Sequence, residues 1–365
     1  MRKHLRILIV IASFFLIANF ADAGERVPDH PRGYVCSKAI GALKIDGSLN
    51  EPAWRGAIFS DPFVDIEGNA KPRPDLETKV KLLWDDNYLY IGASLEEPNV
   101  WATLTEHDSV IFYDNDFEIF IDPDADRQKY FEIEVNALAT EWDLFLPKAY
   151  RDGGSAIDAW EVPGLKVATH VDGTINRFDD KDRGWTVEIA IPWRSLTEPG
   201  AAAGSPPRDG DQLRINFSRV EWRTRTTADS LVKIPGRREE NWVWSPQGVV
   251  DMHRPEMWGY VQFSTKPAGE ATFEPDPTHE ARMRLIRLYE IENEYRERHE
   301  EFTSSLETLG LDNLGLTAGD RLPRVDLREG DFDAFLDVEV PGSKRNTRVH
   351  IRSDGRIRRE EIEGK

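Results

Sequence analysis

Two short runs concentrate residues able to hold a polar ligand. In one, Asp116 and Glu118 alternate with Phe117, Ile119 and Ile121; in the other, Glu132, Glu134 and Asn136 alternate with Phe131, Ile133 and Val135. Two-residue alternation places the polar set on one face of a strand and the apolar set on the other. If the two strands are neighbours, carboxylates and an amide gather on one surface that can exchange hydrogen bonds with a hydroxyl-rich ligand. Asn216, Arg219 and Arg223 come from a further run and could supply donors or neutralise the acids. Trp242 and Trp244 flank Val243 and so share a face, in a segment rich in turn residues, and Trp142 follows the second acidic run. Such rings offer a flat apolar platform, although burial in a core explains tryptophans equally well. Asp122, Asp124 and Asp126 alternate with Pro123 and Ala125, an oxygen-rich loop that suits calcium, although a plain acidic turn reads the same way. No other cofactor is expected.

Catalysis is not expected. Glycoside hydrolysis needs two acids roughly 5 to 10 Å apart across a cleft, one with a raised pKa, and spacing along a chain cannot supply that separation. No Gly-x-Ser-x-Gly elbow, His-Glu-x-x-His pair or phosphate loop occurs. Cys36 is the only cysteine, so no internal disulfide forms, and nothing nearby in sequence would lower its thiol pKa.

The elements that must position these residues are strands. From Val35 to Ser264 short alternating runs are separated by Gly, Pro, Asp and Asn clusters: Val80, Leu82 and Trp84; Leu89, Ile91, Ala93 and Leu95; Trp185, Val187, Ile189 and Ile191; Leu213, Ile215 and Phe217. With the acidic runs and the run from Tyr260 to Ser264 they predict an all-β chain folded as an antiparallel β-sandwich. Prolines and glycines over 266–278 mark a linker, and 279–365 reads as a small α+β tail domain, a helix ending near Leu309 and Gly310 and then a three-stranded meander. Asp276 and Pro277 read as the helix N-cap and first helical position. Residues 1–23 read as a signal peptide: Arg2, Lys3 and Arg6, an apolar stretch from Ile7 to Phe20, then Ala21 and Ala23. That stretch is shorter than the ~20 residues a spanning helix needs. The expectation is an exported chain, periplasmic or extracellular, with no membrane span after cleavage. A net charge of −19 repels phosphate backbones, so nucleic acid is not an expected partner.

Six stretches, IDGSLNEPAW (45–54), VKLLWDDNYLYIGA (80–93), NDFEIFIDPDAD (115–126), YFEIEVNA (130–137), GWTVEIAIPW (184–193) and HRPEMWGYVQFS (253–264), resemble in order and spacing the family 9 carbohydrate-binding modules and related DOMON-like sandwiches. The resemblance implies a sandwich over 24–265 that holds a poly- or oligosaccharide without reacting with it, beside polysaccharide-degrading enzymes, commonly with structural calcium. It further implies a terminal sugar clamped between two tryptophans, whose positions here fall at Phe112 or Tyr113 and near Met252 and His253. Glu118 lies where the pattern puts a ligand-binding acid, and Glu134 where sugar binders can carry a base. The site expected from residues and resemblance together is Phe112, Tyr113, Glu118, Glu134, Asn136, Trp142, Arg219, Trp242, Trp244 and His253. A sandwich that has lost sugar binding, with the tail docking a partner, is the competing expectation, as is an accessory part of a glycoside hydrolase system.

Overall fold

The computed structural model describes residues 30–197, 204–316 and 320–364, so the signal peptide expected over 1–23 lies outside the described residues. In chain order come β1 (Gly33–Lys38), α1 (Pro52–Gly56), β2 (Val64–Asp65), β3 (Thr78–Trp84), β4 (Tyr88–Glu96), β5 (Asp116–Asp122), β6 (Tyr130–Asn136), β7 (Glu141–Leu146), β8 (Lys166–Asp172) and β9 (Gly184–Pro192). They are followed by β10 (Gln212–Glu221), β11 (Thr224–Thr226), β12 (Leu231–Lys233), β13 (Glu240–Val243), β14 (Gly259–Ser264), α2 (His279–His299), α3 (Leu306–Leu309), β15 (Arg324–Arg328), β16 (Asp331–Val338), β17 (Arg345–Arg352) and β18 (Ile357–Glu363).

Twelve strands form a continuous sheet in the order β7-β6-β5-β10-β14-β1-β3-β4-β9-β8, with β13 paired to β10 and β2. All neighbours are antiparallel except β1, which runs parallel to both β14 and β3 and so joins the two halves of the sandwich. The expected alternation sets the packing: Val80, Leu82, Leu89, Ile91, Phe117, Ile119, Ile133, Val187, Ile189, Ile215 and Phe217 enter one core between the halves. Cys36 lies fully buried in it. Glu188 is a buried acid on the far face of β9, where it accepts from the Trp54 indole at 2.8 Å and from the Asp46 amide at 2.9 Å. That carboxylate fastens the chain before α1 to the outer face of the sheet.

The tail has a core of its own, in which Leu285, Ile286, Leu288 and Tyr289 of α2 cover Phe332, Ala334, Leu336, Val349 and Ile351 of a four-stranded meander. The meander has one strand more than expected because β15 is largely exposed and carries little periodic signal. The helix starts at His279, with Thr278 as N-cap, and Asp276 instead accepts from the Thr278 amide and hydroxyl one turn earlier. It stops at Glu300, in the left-handed conformation, and α3 follows after a break and ends at Gly310.

The loop Asp122 to Gln128 anchors this tail. Arg127 donates to the Gly355 carbonyl at 2.9 Å, Gln128 to the Asp354 carbonyl at 2.6 Å, and the Ile357 amide donates to the Asp126 carbonyl at 3.1 Å. Behind Arg127 sits Glu256, 1% exposed, contacted by Arg151 at 2.6 Å, Arg254 at 3.2 Å and Arg127 at 3.4 Å. Burial alone would raise the Glu256 pKa, but these three guanidinium groups hold it far below the usual carboxylate range. Removing one partner of a buried pair leaves the other charge uncompensated. Glu256→Ala is therefore expected to lower unfolding stability by about 3 to 5 kcal/mol, read from urea denaturation; a loss within error of zero would show that Arg127 is held by the tail alone.

Candidate functional site

The outer face of β5, β6 and β7 is the other half of the alternation, and it is not a wet surface. Loops cover it, so that every residue of β5 and β6 is buried. Pairing is antiparallel, with Glu118 opposite Glu134, Phe120 opposite Glu132, and Trp142 of β7 opposite Glu134 on the other side. One end of this face is apolar, where Phe120, Tyr130, Leu144, Val243, Met252 and Trp258 pack together. The other holds Asp116, Glu118, Glu132 and Glu134. Between them opens a pocket of about 440 Å³. Glu118, Glu132 and Glu134 form its floor, and Phe112, Trp142, Tyr150 and His253 stand in its wall.

The carboxylates are poorly compensated. Glu134 accepts from the Phe112 amide at 2.9 Å and Asp116 from the Val220 amide at 3.1 Å. Asp116 Oδ2 and Glu132 Oε2 are buried without a donor. Burial and then mutual repulsion push the pKa values of Asp116, Glu132 and Glu134 well up, and burial raises Glu118 to about 7 against the pull of the Ser218 hydroxyl. His253 is lowered to about 4 by burial, so it enters the wall as a neutral ring. Its Nδ1 lies 2.9 Å from the Tyr130 hydroxyl, and its ring meets Tyr150 edge to face at 4.5 Å. Phe112, in the segment before β5, and Trp142 of β7 have rings 6.4 Å apart, tilted by 33°. Half-buried rings beside a carboxylate floor are suited to a ligand with an apolar face and polar edges.

Of the residues expected at the site, Phe112, Glu118, Glu134, Trp142 and His253 meet in this one pocket. Tyr113 does not; it is 55% exposed and its ring turns away beside Phe112. Four expectations are corrected. Trp242 and Trp244 do share a face, but it is the core face, where they are 3% and 2% exposed, and they present no platform. Arg219 points the same way, bonded to Glu97 at 2.9 Å and Glu221 at 2.8 Å, with its guanidinium over the Trp242 ring. Asn136 has spent its amide on the hairpin joining β6 to β7: it donates to Leu104 and Asp114 and accepts from the Leu138 and Thr140 amides. Of the donors considered with Arg219, Asn216 binds the backbone of Ser245 and Arg223 pairs with Glu240. Sequence reading missed Tyr150, Asn241 and Asp251, which also line the pocket. Asn241 was readable, because the alternation that turns Trp242 inward turns Asn241 outward; Tyr150 and Asp251 sit in loops with no periodic signal.

Asp122, Asp124 and Asp126 bring carboxylate oxygens within 4.8 Å of one another, and Asp122 Oδ1 is buried without a donor. Burial, then Asp124 and Asp126, raise the Asp122 pKa to about 8. An all-oxygen set of this kind fits a calcium ion. Arg356 pairs with Asp126 from the tail.

Residues 45–243 match the family described as carbohydrate family 9 binding domain-like. Curated relatives are an exoglucanase XynX of Acetivibrio thermocellus, 30% identical over 45% of this chain and 13% of the relative, and an endo-1,4-beta-xylanase A of Thermoanaerobacterium saccharolyticum, 30% identical over 32% of this chain and 8% of the relative. The chain thus spans under a sixth of the length of these relatives. Among solved structures, a family 9 carbohydrate-binding module from Caldicellulosiruptor kristjanssonii in complex with cellotriose is similar at 18% identity and a TM-score of 0.42, covering 67% of this chain and all of that one. No helix among the described residues is long and apolar enough to cross a membrane.

The folded chain keeps the Glu118 proton up to about pH 7, whereas an unfolded glutamate releases it near 4.5. The stability this group contributes is complete below pH 4.5 and is lost as pH rises to 7. Thermal melts across that window should show a falling Tm, and Glu118→Gln should flatten the fall and melt higher at neutral pH. An unchanged slope would show that Glu118 is not the strained group.

Proposed function

This chain belongs to the carbohydrate family 9 binding domain-like family, and from that premise we propose that it holds a poly- or oligosaccharide, without reacting with it, in the pocket over β5, β6 and β7. One observation carries the reading: a single pocket joins aromatic rings to hydrogen-bonding groups, Phe112, Trp142 and His253 above Glu118, Glu132 and Glu134. A pyranose ring lies its C–H face on an aromatic ring and turns its hydroxyls to polar groups. The positions that resemble the two clamp tryptophans fall in this wall as Phe112 and His253. The pocket's acids come from neighbouring strands of one floor, an arrangement for gripping one side of a ligand rather than for attacking a bond from two sides. Because the curated relatives carry the names exoglucanase and endo-1,4-beta-xylanase, β-1,4-linked glucan and xylan fragments are the first ligands to try. The chain would act in polysaccharide capture outside the cytoplasm, beside degrading enzymes.

Asp122, Asp124 and Asp126 would hold calcium as a structural ion, bracing the loop that carries the tail. In that case calcium raises Tm and Asp124→Ala removes the rise, while equal melting with calcium and with chelator removes the ion from the proposal.

Affinity electrophoresis and calorimetry against cello- and xylo-oligosaccharides test the pocket itself. Trp142→Ala is expected to weaken binding at least ten-fold, about 1.4 kcal/mol, whereas Tyr88→Phe, on β4 and outside the pocket lining, should leave it unchanged. Absence of binding across a broad glycan panel, or binding indifferent to Trp142, would overturn the reading.

A further inference from the structure

Resting on the glycan-binding reading, one property of the pocket narrows its ligand. Its floor is built of clustered carboxyl groups and nothing in its lining is cationic. Glu118, Glu132 and Glu134 face into it, Glu239 and Asp251 stand at its edge, and no lysine or arginine lines it among the described residues. His253 is the sole titratable base in the lining, and its ring is held neutral by burial among Tyr130, Phe120 and Tyr150. Arg219 leaves β10 toward the core and is consumed by Glu97 and Glu221. Lys233 is near enough to feel Asp116, but its ammonium sits on the Trp222 ring, 3.5 Å from the centroid. Neutral sugar hydroxyls do not neutralise four clustered acids, and a buried carboxylate without a counter-charge is a costly way to hold a neutral ligand.

Two further observations say what is missing. Oxygens of Asp116, Glu118 and Glu134 converge within 4.8 Å of one another. Asp116 Oδ2, and Glu132 Oε2 beside that group, are buried with no donor. A primary ammonium carries three N–H donors and reaches carboxylate oxygens at about 2.7 to 2.9 Å, which such a convergence accommodates. Trp142 pairs with Glu134 across the β6 to β7 ladder, and the Phe112 amide is bonded to the Glu134 carboxylate. A sugar ring lying against these aromatic residues would therefore carry its substituents over the acids, and the same rings attract a neighbouring cation through their faces.

We propose that the pocket selects sugars bearing a free amino group, a protonated 2-amino-2-deoxy-hexose unit of a partly or fully deacetylated amino-sugar chain, with Glu118, Glu132 and Glu134 as the ammonium's partners. The ammonium is the counter-charge the floor lacks. N-acetylation removes that charge and two of its donors, and a neutral glucose unit never has it.

Calorimetry on the full-length chain with three trimers distinguishes the outcomes: fully deacetylated glucosamine trimer, its N-acetylated form, and cellotriose, each in chelator and then in calcium. In chelator the amino trimer should bind at least ten-fold tighter than either neutral trimer, and the advantage should shrink with added salt. Glu134→Gln and Glu132→Gln should remove most of that advantage, so that the amino trimer and its N-acetylated form bind alike. These variants relieve repulsion, so melts at pH 7 should show them folded and at least as stable as the parent; Trp142→Ala should weaken all three trimers. Cellotriose binding as well as or better than the amino trimer would overturn the amino-sugar proposal and leave the glycan-binding reading standing. Neutral trimers that bind only with calcium would assign the floor to a metal ion and equally overturn it. No binding of any trimer would overturn both.

Discussion

The structure turns on the pairing of β5 with β6, two strands buried on both faces. Ladder register sets Glu118 against Glu134 and leaves Asp116 and Glu132 close by. Like charges opposite one another weaken a sheet, and burial removes the water that would screen them. The strands tolerate this because their other faces supply Phe117, Ile119, Ile121, Phe131, Ile133 and Val135 to the main core. What destabilises the outer face is also what makes it able to bind: a preformed set of acceptors, held by backbone pairing and needing no rearrangement to meet a ligand.

The remaining parts support that strand pair from its ends. Past β5 the chain turns through Asp126 and Arg127 into contacts with the tail, and Glu256 gathers three arginines behind them. At the opposite end Asn136 and Asp114 tie the hairpin after β6 to the segment carrying Phe112. The tail is thus a brace on the rim of the floor as well as a folded unit with its own core.

Much of this was readable from residues alone, and the failures share a cause. Alternation tells which side chains share a face, so the runs around Phe117 and Ile133 assigned the core correctly. It does not tell which face another element will cover. Trp242 and Trp244 are on one face as expected, yet that face is the interior; Glu118 and Glu134 are on the other, yet that face is roofed rather than wet. Arg219 misled because an arginine within an apolar alternation is more often exposed, and only the distant Glu97 makes its burial tolerable. The joining strand β1 escaped notice because its partners lie far along the chain, and the edge strand β8 because its half-exposed residues give a mixed pattern.

The parallel seam between β1 and β14 has a kinetic meaning. Tyr34 pairs with Val261 and Cys36 with Phe263, so the first strand of the sandwich closes against its last. A chain emerging from its N-terminus cannot complete this closure until residue 264 is available, and contacts of such long sequence separation form slowly. During that interval β1 leaves open the edge that β14 will cover, which makes the nascent chain dependent on whatever shields open strands from one another.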